Sequence, residues 1–222
     1  MLNINDFRLY IRGNGEIVDS SRNAYSISNN GVTYTTDEYG ITDNAMLFNS
    51  SSDELQLSST IAQAIASDIN TECSVYLRLL NDSGTATGGR LFSQMDDAVV
   101  SYSMGISAAD SPSPIYYYTY DGAVEGASVS DFTKNTWSSL TFTSIDAGSS
   151  TITKKIVYDG SEIQSRTDGH NVTNSTRPLR IGKRATGQNF QGKINNLIVI
   201  KRVLTSLDVK YINKFGNRKA VA

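Results

Sequence analysis

Along most of this chain apolar residues alternate with polar ones, and only two segments space them as a helix would. Phe7, Leu9 and Ile11 alternate with Arg8, Tyr10 and Arg12, which predicts a half-buried strand closed by Gly13–Asn14–Gly15. Residues 17–45 read as loop and short strands, with turn signals at Asn29–Asn30–Gly31 and Glu38–Tyr39–Gly40. Short strands follow at 45–48 and 55–57 around a Ser/Asp turn, and clear ones at 73–80, 91–95 and 100–106. Ser111–Pro112–Ser113–Pro114 reads as a stiff polar loop before a tyrosine-rich strand at 115–120, which ends at Asp121–Gly122. Further strands fall at 137–145, 156–163 and 179–182. The second of these carries Tyr158–Asp159–Gly160–Ser161, and Asp-Gly between two runs is the strongest short hairpin signal in the chain.

The helical spacings are few. Ile61, Ala64 and Ile65 behind Ser59 or Thr60 predict a short helix over 60–69. Near the C-terminus, Ile194, Leu197, Ile198, Val199 and Ile200 give a near-continuous apolar run, the signature of a strand covered on both faces. Thr205 then stands as an N-cap with Asp208 three residues on, a capping box with aspartate in the glutamate position. The helix this opens covers 206–215 and ends at Gly216, with Leu207, Tyr211 and Phe215 on one face and Lys210 and Lys214 near its negative end. A buried strand followed by a helix predicts that the helix lids a sheet. Roughly a dozen short strands at this spacing predict an all-β, two-sheet antiparallel β-sandwich forming a single domain over residues 1–222.

Composition narrows the function classes. The chain has 222 residues, and at this length roughly 70% of the unfolded surface can be buried, so a core needs no staples. The net charge is −2, and Lys and Arg do not cluster outside the C-terminal end, which argues against a nucleic-acid partner. Cys73 is the only cysteine, which excludes an internal disulfide, and its apolar alternation with Val75, Leu77 and Leu79 places it in the core. Asp6, Arg8 and Arg12 interrupt the N-terminal residues, so no signal peptide is expected, and no stretch approaches the ~20 apolar residues of a membrane span.

Few residues offer chemistry. The acidic pairs Asp37–Glu38, Asp53–Glu54 and Asp96–Asp97 are adjacent in turns, where neighbouring side chains diverge and cannot flank one bond. His170, the sole histidine, lies in a polar loop and reads as solvated. The Gly84-to-Gly89 stretch has Arg90 and Leu91 where a phosphate loop needs Lys and Ser/Thr, so it reads as a hairpin loop. Tyr116, Tyr118 and Tyr120 share one strand face with Tyr117 opposite, and this is the candidate ligand-binding row. Tyrosine offers a flat apolar face to a sugar ring and a hydroxyl for hydrogen bonding, and the same row suits a protein interface or internal packing.

Several pieces in order carry a family resemblance: LYIRGNGEIVDSSRN, AMLFNSSSDELQLSS, CSVYLRL, NTWSSLTFT, IVYDGSEI, LRIGK and FQGKINNLIVIKRVLTSLDVKYI. A tryptophan opening a central strand, a Tyr-Asp-Gly hairpin, an Ile-Gly strand and a closing Gly-x-Ile strand with a helix after it resemble the laminin G-like, concanavalin A-like jelly roll. The resemblance implies two antiparallel sheets of about six or seven strands each and recognition of glycans, proteins or surfaces. Some relatives bind calcium at loop carboxylates, which puts Asp19 and Asn23 forward as candidate calcium ligands. Some are glycoside hydrolases, but the Glu-x-Asp-x-Glu strand of that branch is missing here, and no enzyme is expected. A lectin-like sandwich with no export signal fits a phage particle, built in the host cytoplasm and released by lysis. The expectation is therefore a non-enzymatic virion protein (capsid decoration, head fibre or tail component) that contacts itself or other virion proteins and binds glycans. A free carbohydrate-binding module is the alternative, and a glycoside hydrolase is the third reading.

Overall fold

A computed structural model describes residues 4–81, 89–95, 100–106, 113–120, 124–168, 172, 176–183 and 189–215. Strands β1 (Phe7–Arg12), β2 (Ser28–Asn30), β3 (Thr33–Thr35), β4 (Ala45–Phe48) and β5 (Glu54–Leu57) precede helix α1 (Ser59–Ile69). Strands β6 (Glu72–Asn81), β7 (Gly89–Met95), β8 (Val100–Ile106), β9 (Ser113–Tyr120) and β10 (Val124–Phe132) follow. Then come β11 (Trp137–Gly148), β12 (Thr151–Tyr158), β13 (Ser161–Asp168), β14 (Leu179–Ile181), β15 (Gly192–Ile200) and helix α2 (Ser206–Phe215). One sheet runs β13-β12-β11-β6-β15-β4-β3 with β1 also paired to β15; the other runs β10-β9-β8-β7-β14-β5-β2. All described pairings are antiparallel, and the expected two-sheet sandwich is observed, with eight and seven strands.

Inward-pointing residues of the two sheets make the main core, including Val75, Leu77 and Leu79 of β6, Leu197 and Val199 of β15, and Phe92, Met104 and Tyr117 opposite. Cys73 lies in this core, and burial pushes its thiol well above the ordinary range, so it is inert. Helix α1 touches a strand of each sheet, β6 and β14, and buries Ile61, Ala62, Ile65, Ala66 and Ile69. Its Asp68 is held by Arg8 of β1 through two bonds of 2.7 and 2.9 Å. The helix starts at Ser59, so Ser58, and neither Ser59 nor Thr60, takes the N-cap position. Asp159 (φ 46°) and Gly160 (φ 83°) make the tight β12–β13 turn, and the Asp159 carboxylate accepts from the Ser139 backbone N–H at 2.6 Å.

Strand β15 is buried almost throughout and does lie between two apolar layers. Its outward residues Ile198 and Ile200, with Tyr76 of β6, form a second cluster with Leu204, Val209 and Ile212. The helix therefore lids the eight-stranded sheet, but through the face opposite to the one the sequence suggested. Leu207 and Tyr211 are 77% and 57% exposed, whereas Val209 and Ile212 are buried. Three anchors fix that rotation. The Tyr76 hydroxyl donates to Asn213, the Asn213 side-chain amide donates to Ser139 at 3.3 Å, and the capping box forms in full. In that box Asp208 N–H donates to Thr205 Oγ1 at 3.2 Å and Thr205 N–H donates to Asp208 Oδ2 at 3.0 Å.

Other expectations need amending. Ser113 and Pro114 belong to β9 and not to a loop, and β10 was not expected. Strand β12 begins at Thr151, and its Lys154 points inward between Ile152 and Ile156, fully buried. A buried cation needs a partner, and Asp168 at the end of β13 meets it at 2.6 Å, with Arg166 on its other oxygen at 2.5 Å. These partners hold the Asp168 carboxyl below its usual range against the opposing pull of burial.

Two measurements check this account. Ile212→Ala should cost about 2–4 kcal/mol in urea unfolding, while Leu207→Ser should stay within about 0.5 kcal/mol; the reverse order would reinstate the other helix face. The Arg202 guanidinium, bonded twice at 2.9 Å, and Thr205 pull the Asp208 carboxyl from 3.8 to about 2. A carboxyl depressed in the folded state stabilises above its unfolded pKa and loses that contribution as pH falls through the folded one. Stability of the native chain should therefore decline as pH drops from 3.8 toward 2, and Asp208→Asn should flatten this limb of the pH–stability curve.

Candidate functional site

Leu55 and Leu57, Leu179 and Ile181, Tyr102 and Met104, and Ile115 and Tyr117 point from the seven-stranded sheet into the core. Their neighbours along each strand must point outward. Cross-strand pairing aligns these outward residues into one row: Gln56 opposite Arg180, Arg180 opposite Ser93, Ser93 opposite Ser103, and Ser103 opposite Tyr118. The outer face of this sheet is therefore polar, with tyrosines toward the β9 side. Arg180 is tied to Glu54, which also accepts from the Asn30 side chain at 3.2 Å.

The tyrosine row behaves in two ways. Tyr117 is fully buried and meets Phe142 edge-on at 5.9 Å, on the side opposite its neighbours as expected. Tyr116 and Tyr118 stack on the outer face, ring centroids 4.9 Å apart and planes 13° apart. The Arg90 guanidinium lies 4.5 Å over the Tyr116 ring and donates to Ser103 Oγ at 3.2 Å. Tyr116 is only 6% exposed and its hydroxyl donates to the Gly89 carbonyl at 3.2 Å. Burial pushes this phenol well above its ordinary pKa, against the opposing pull of Arg90, so it stays a donor. Tyr116 is thus the clamped middle of a three-part stack, and Tyr118, half-buried, is the ring that remains reachable. Tyr120 ends β9 opposite Val124, and its side chain lies outside the described set.

Arg90 and Ser103 were not picked from the sequence. They join the tyrosines only because β7, β8 and β9 form a meander, and the register of that meander places them on the same face.

Asp19 and Asn23 occupy the loop after β1. The Asp19 carboxylate accepts from the backbone N–H of Tyr10 (3.0 Å), Ser21 (2.9 Å) and Tyr25 (2.9 Å), and from the Ser21 hydroxyl (2.8 Å). The Asn23 side-chain amide donates to the carbonyls of Phe7 and Arg8 at 3.3 and 2.8 Å. Both residues thus brace the loop against β1, with the carboxylate's lone pairs directed at chain donors. Among the described residues no group of three His, Cys, Asp or Glu side chains is gathered as a metal site needs. His170, Asp96, Asp97 and Gly84 lie outside the described residues. No helix among the described residues is long and apolar enough to cross a membrane.

The geometry defines a two-sheet, lectin-like sandwich with one polar, tyrosine-bearing outer face. The chain belongs to the concanavalin A-like lectin/glucanases superfamily, whose laminin G-type family model matches residues 49–210. No curated protein matches it in sequence. Among solved structures it is similar to the receptor-binding domain of botulinum neurotoxin C/D mosaic serotype, at 14% identity and TM-score 0.73, covering 96% of this chain and 52% of that one. It is also similar to the botulinum neurotoxin DC binding domain in complex with rat synaptotagmin II, at 11% identity and TM-score 0.74, covering 98% and 53%. A third is the serotype D ligand-binding domain in complex with N-acetylneuraminic acid, at 14% identity and TM-score 0.70, covering 95% and 51%. At these identities the likeness is one of fold, and the chain spans about half the length of the structures it matches.

Removing the brace should be felt. Asp19→Ala leaves three backbone N–H groups without their acceptor and should destabilise by about 2–3 kcal/mol in denaturant unfolding. The unfolding midpoint of the unmodified chain should be the same with added calcium and with a chelator. A midpoint that rises with calcium would return Asp19 and Asn23 to the role of metal ligands.

Proposed function

We propose that the chain is a non-catalytic recognition module that binds glycans at the Arg90–Tyr116–Tyr118 stack. The carrying observation is a reachable tyrosine ring fixed from behind. Tyr118 rests on Tyr116, which is held in turn by Arg90 and the Gly89 carbonyl. A ring already immobilised loses little freedom when a sugar stacks on it, which favours binding. The apolar C–H face of a pyranose suits the ring, and its hydroxyls suit the polar row alongside.

A further point favours recognition. The fold relatives include botulinum neurotoxin binding domains in complex with N-acetylneuraminic acid and with rat synaptotagmin II, and botulinum neurotoxin type C, whose cell entry depends upon interaction with two ganglioside molecules. The virion placement and self-association expected from the sequence rest on composition and missing signals, and this reading does not need them.

A glycan array probed with the native chain and with Tyr118→Ala tests the proposal. The expected result is a set of bound glycans whose affinity falls about tenfold in the variant, in line with the loss of one aromatic stacking contact. Equal binding by the variant, or no bound glycan on an array carrying neutral and sialylated chains, would overturn it.

A further inference from the structure

A depression of about 420 Å³ opens at the other side of the seven-stranded sheet, lined by Ser26, Ile27, Ser28, Gln56, Leu57, Ser58 and Pro178. It lies where β2 pairs with β5 and where β5 runs into α1. We propose that it is a second binding site, for one neutral, hydroxyl-rich ring such as a hexopyranose.

The lining selects that chemistry. Ser26, Ser28, Gln56 and Ser58 bring hydroxyl or amide groups, and Pro178 with the half-buried Ile27 an apolar edge, the mixture a sugar ring needs for its hydroxyl edge and its C–H face; Leu57 borders the depression while its side chain packs in the core. Among the described residues no charged side chain lines it, which disfavours an anion or a cation. The nearest charges in the sheet register, Arg180 beside Gln56 and its partner Glu54, already neutralise each other. The volume falls within the roughly 300–1,000 Å³ typical of small-ligand sites.

Ser58 stands at the N-cap of α1 without a side-chain cap bond and lines the depression. Ser26, Ser28 and Ser58 are exposed and Gln56 is half-buried, so the polar groups are reachable.

This site is separate from the tyrosine stack. Five strand-to-strand steps, β9-β8-β7-β14-β5-β2, lie between them, about 24 Å at ordinary sheet spacing. Between them Ser93 and Ser103 are fully buried, so the two sites are not one open groove. The inference stands on its own lining and does not depend on glycan binding at Tyr118.

The test is a backbone amide NMR titration of the full chain with glucose, galactose, mannose and N-acetylglucosamine, with glycerol as the control polyol. At least one sugar should shift the amides of Ile27, Ser28, Gln56, Leu57 and Ser58 with millimolar affinity, and glycerol should not. Ser28→Ala combined with Gln56→Ala should weaken this response about tenfold, and Tyr118→Ala should leave it unchanged. Ser26→Trp, a rim substitution that spares the core, should abolish it. Absent shifts, shifts equal to those with glycerol, or a response that survives Ser26→Trp would each overturn the site. Shifts confined to the residues around Tyr118 would also overturn it while leaving the tyrosine reading standing. Shifts at the depression alone would keep this site and count against the other.

Discussion

Everything in the eight-stranded sheet depends on one strand changing partners halfway along. One edge of β15 pairs with β6 over its whole length. Its other edge pairs first with β4, at Gly192 to Ile194, and then with β1, at Asn196 to Ile200. The switch happens at a bulge between Ile194 and Asn196. The Asn195 carbonyl accepts from Gly13 N–H at 2.9 Å, which ends β1, and its side chain donates to the Asn44 carbonyl at 2.8 Å, just before β4. Asp37 gathers the rest, taking Asn44 at 2.6 Å and the backbone N–H groups of Tyr39 and Ile41 at 2.9 Å. Buried amides are costly unless bonded, so this network specifies one register for three strands at once.

Glycines make the same junction sterically exact in position. A Cβ on Gly13 would sit 2.6 Å from the Ala45 Cα, and one on Gly192 would sit 2.2 Å from the Leu80 carbonyl oxygen. Gly192 also has φ 151°, which other residues rarely adopt. Here β1, β4, β6 and β15 converge too closely for side chains. Strands β1 and β15, distant in sequence, are thereby locked together in one sheet, and α2 can then cover its centre from outside.

What the sequence disclosed follows from which signals are local. The capping box at Thr205 and Asp208, the Asp159–Gly160 turn and the alternation of Tyr116 and Tyr118 against Tyr117 each involve residues close in the chain, and each appears as read. The buried face of α2 did not follow, because Leu207 and Tyr211 fit a helical stripe as well as Val209 and Ile212 do. Only Tyr76, Asn213 and Ser139, distant in sequence, decide between them. Strand β10 was missed because it is an edge strand in Val124–Phe132 with few large apolar residues, held by pairing to β9. Lys154 hid β12's alternation, since its inward charge makes sense only once Asp168 is brought beside it. Asp19 and Asn23 are suitable either as calcium ligands or as loop braces, and only the backbone donors facing the carboxylate separate the two uses.

The two sheets carry different obligations, and the patterning of their strands says which one is left for binding. Strands β6 and β15 present apolar residues on both faces, Val75 with Tyr76 and Leu197 with Ile198, because the core lies on one side and α2 on the other. Such a sheet has no open face to offer near its centre. Strands β5, β9 and β14 instead alternate strictly between core residues and Gln56, Tyr118 or Arg180. A period of two on a strand already paired on both edges means that its second face is not needed for the core. Its residues were therefore free to become a clamped aromatic stack at one end and a neutral, hydroxyl-lined hollow at the other, without cost to the packing that holds the sandwich together.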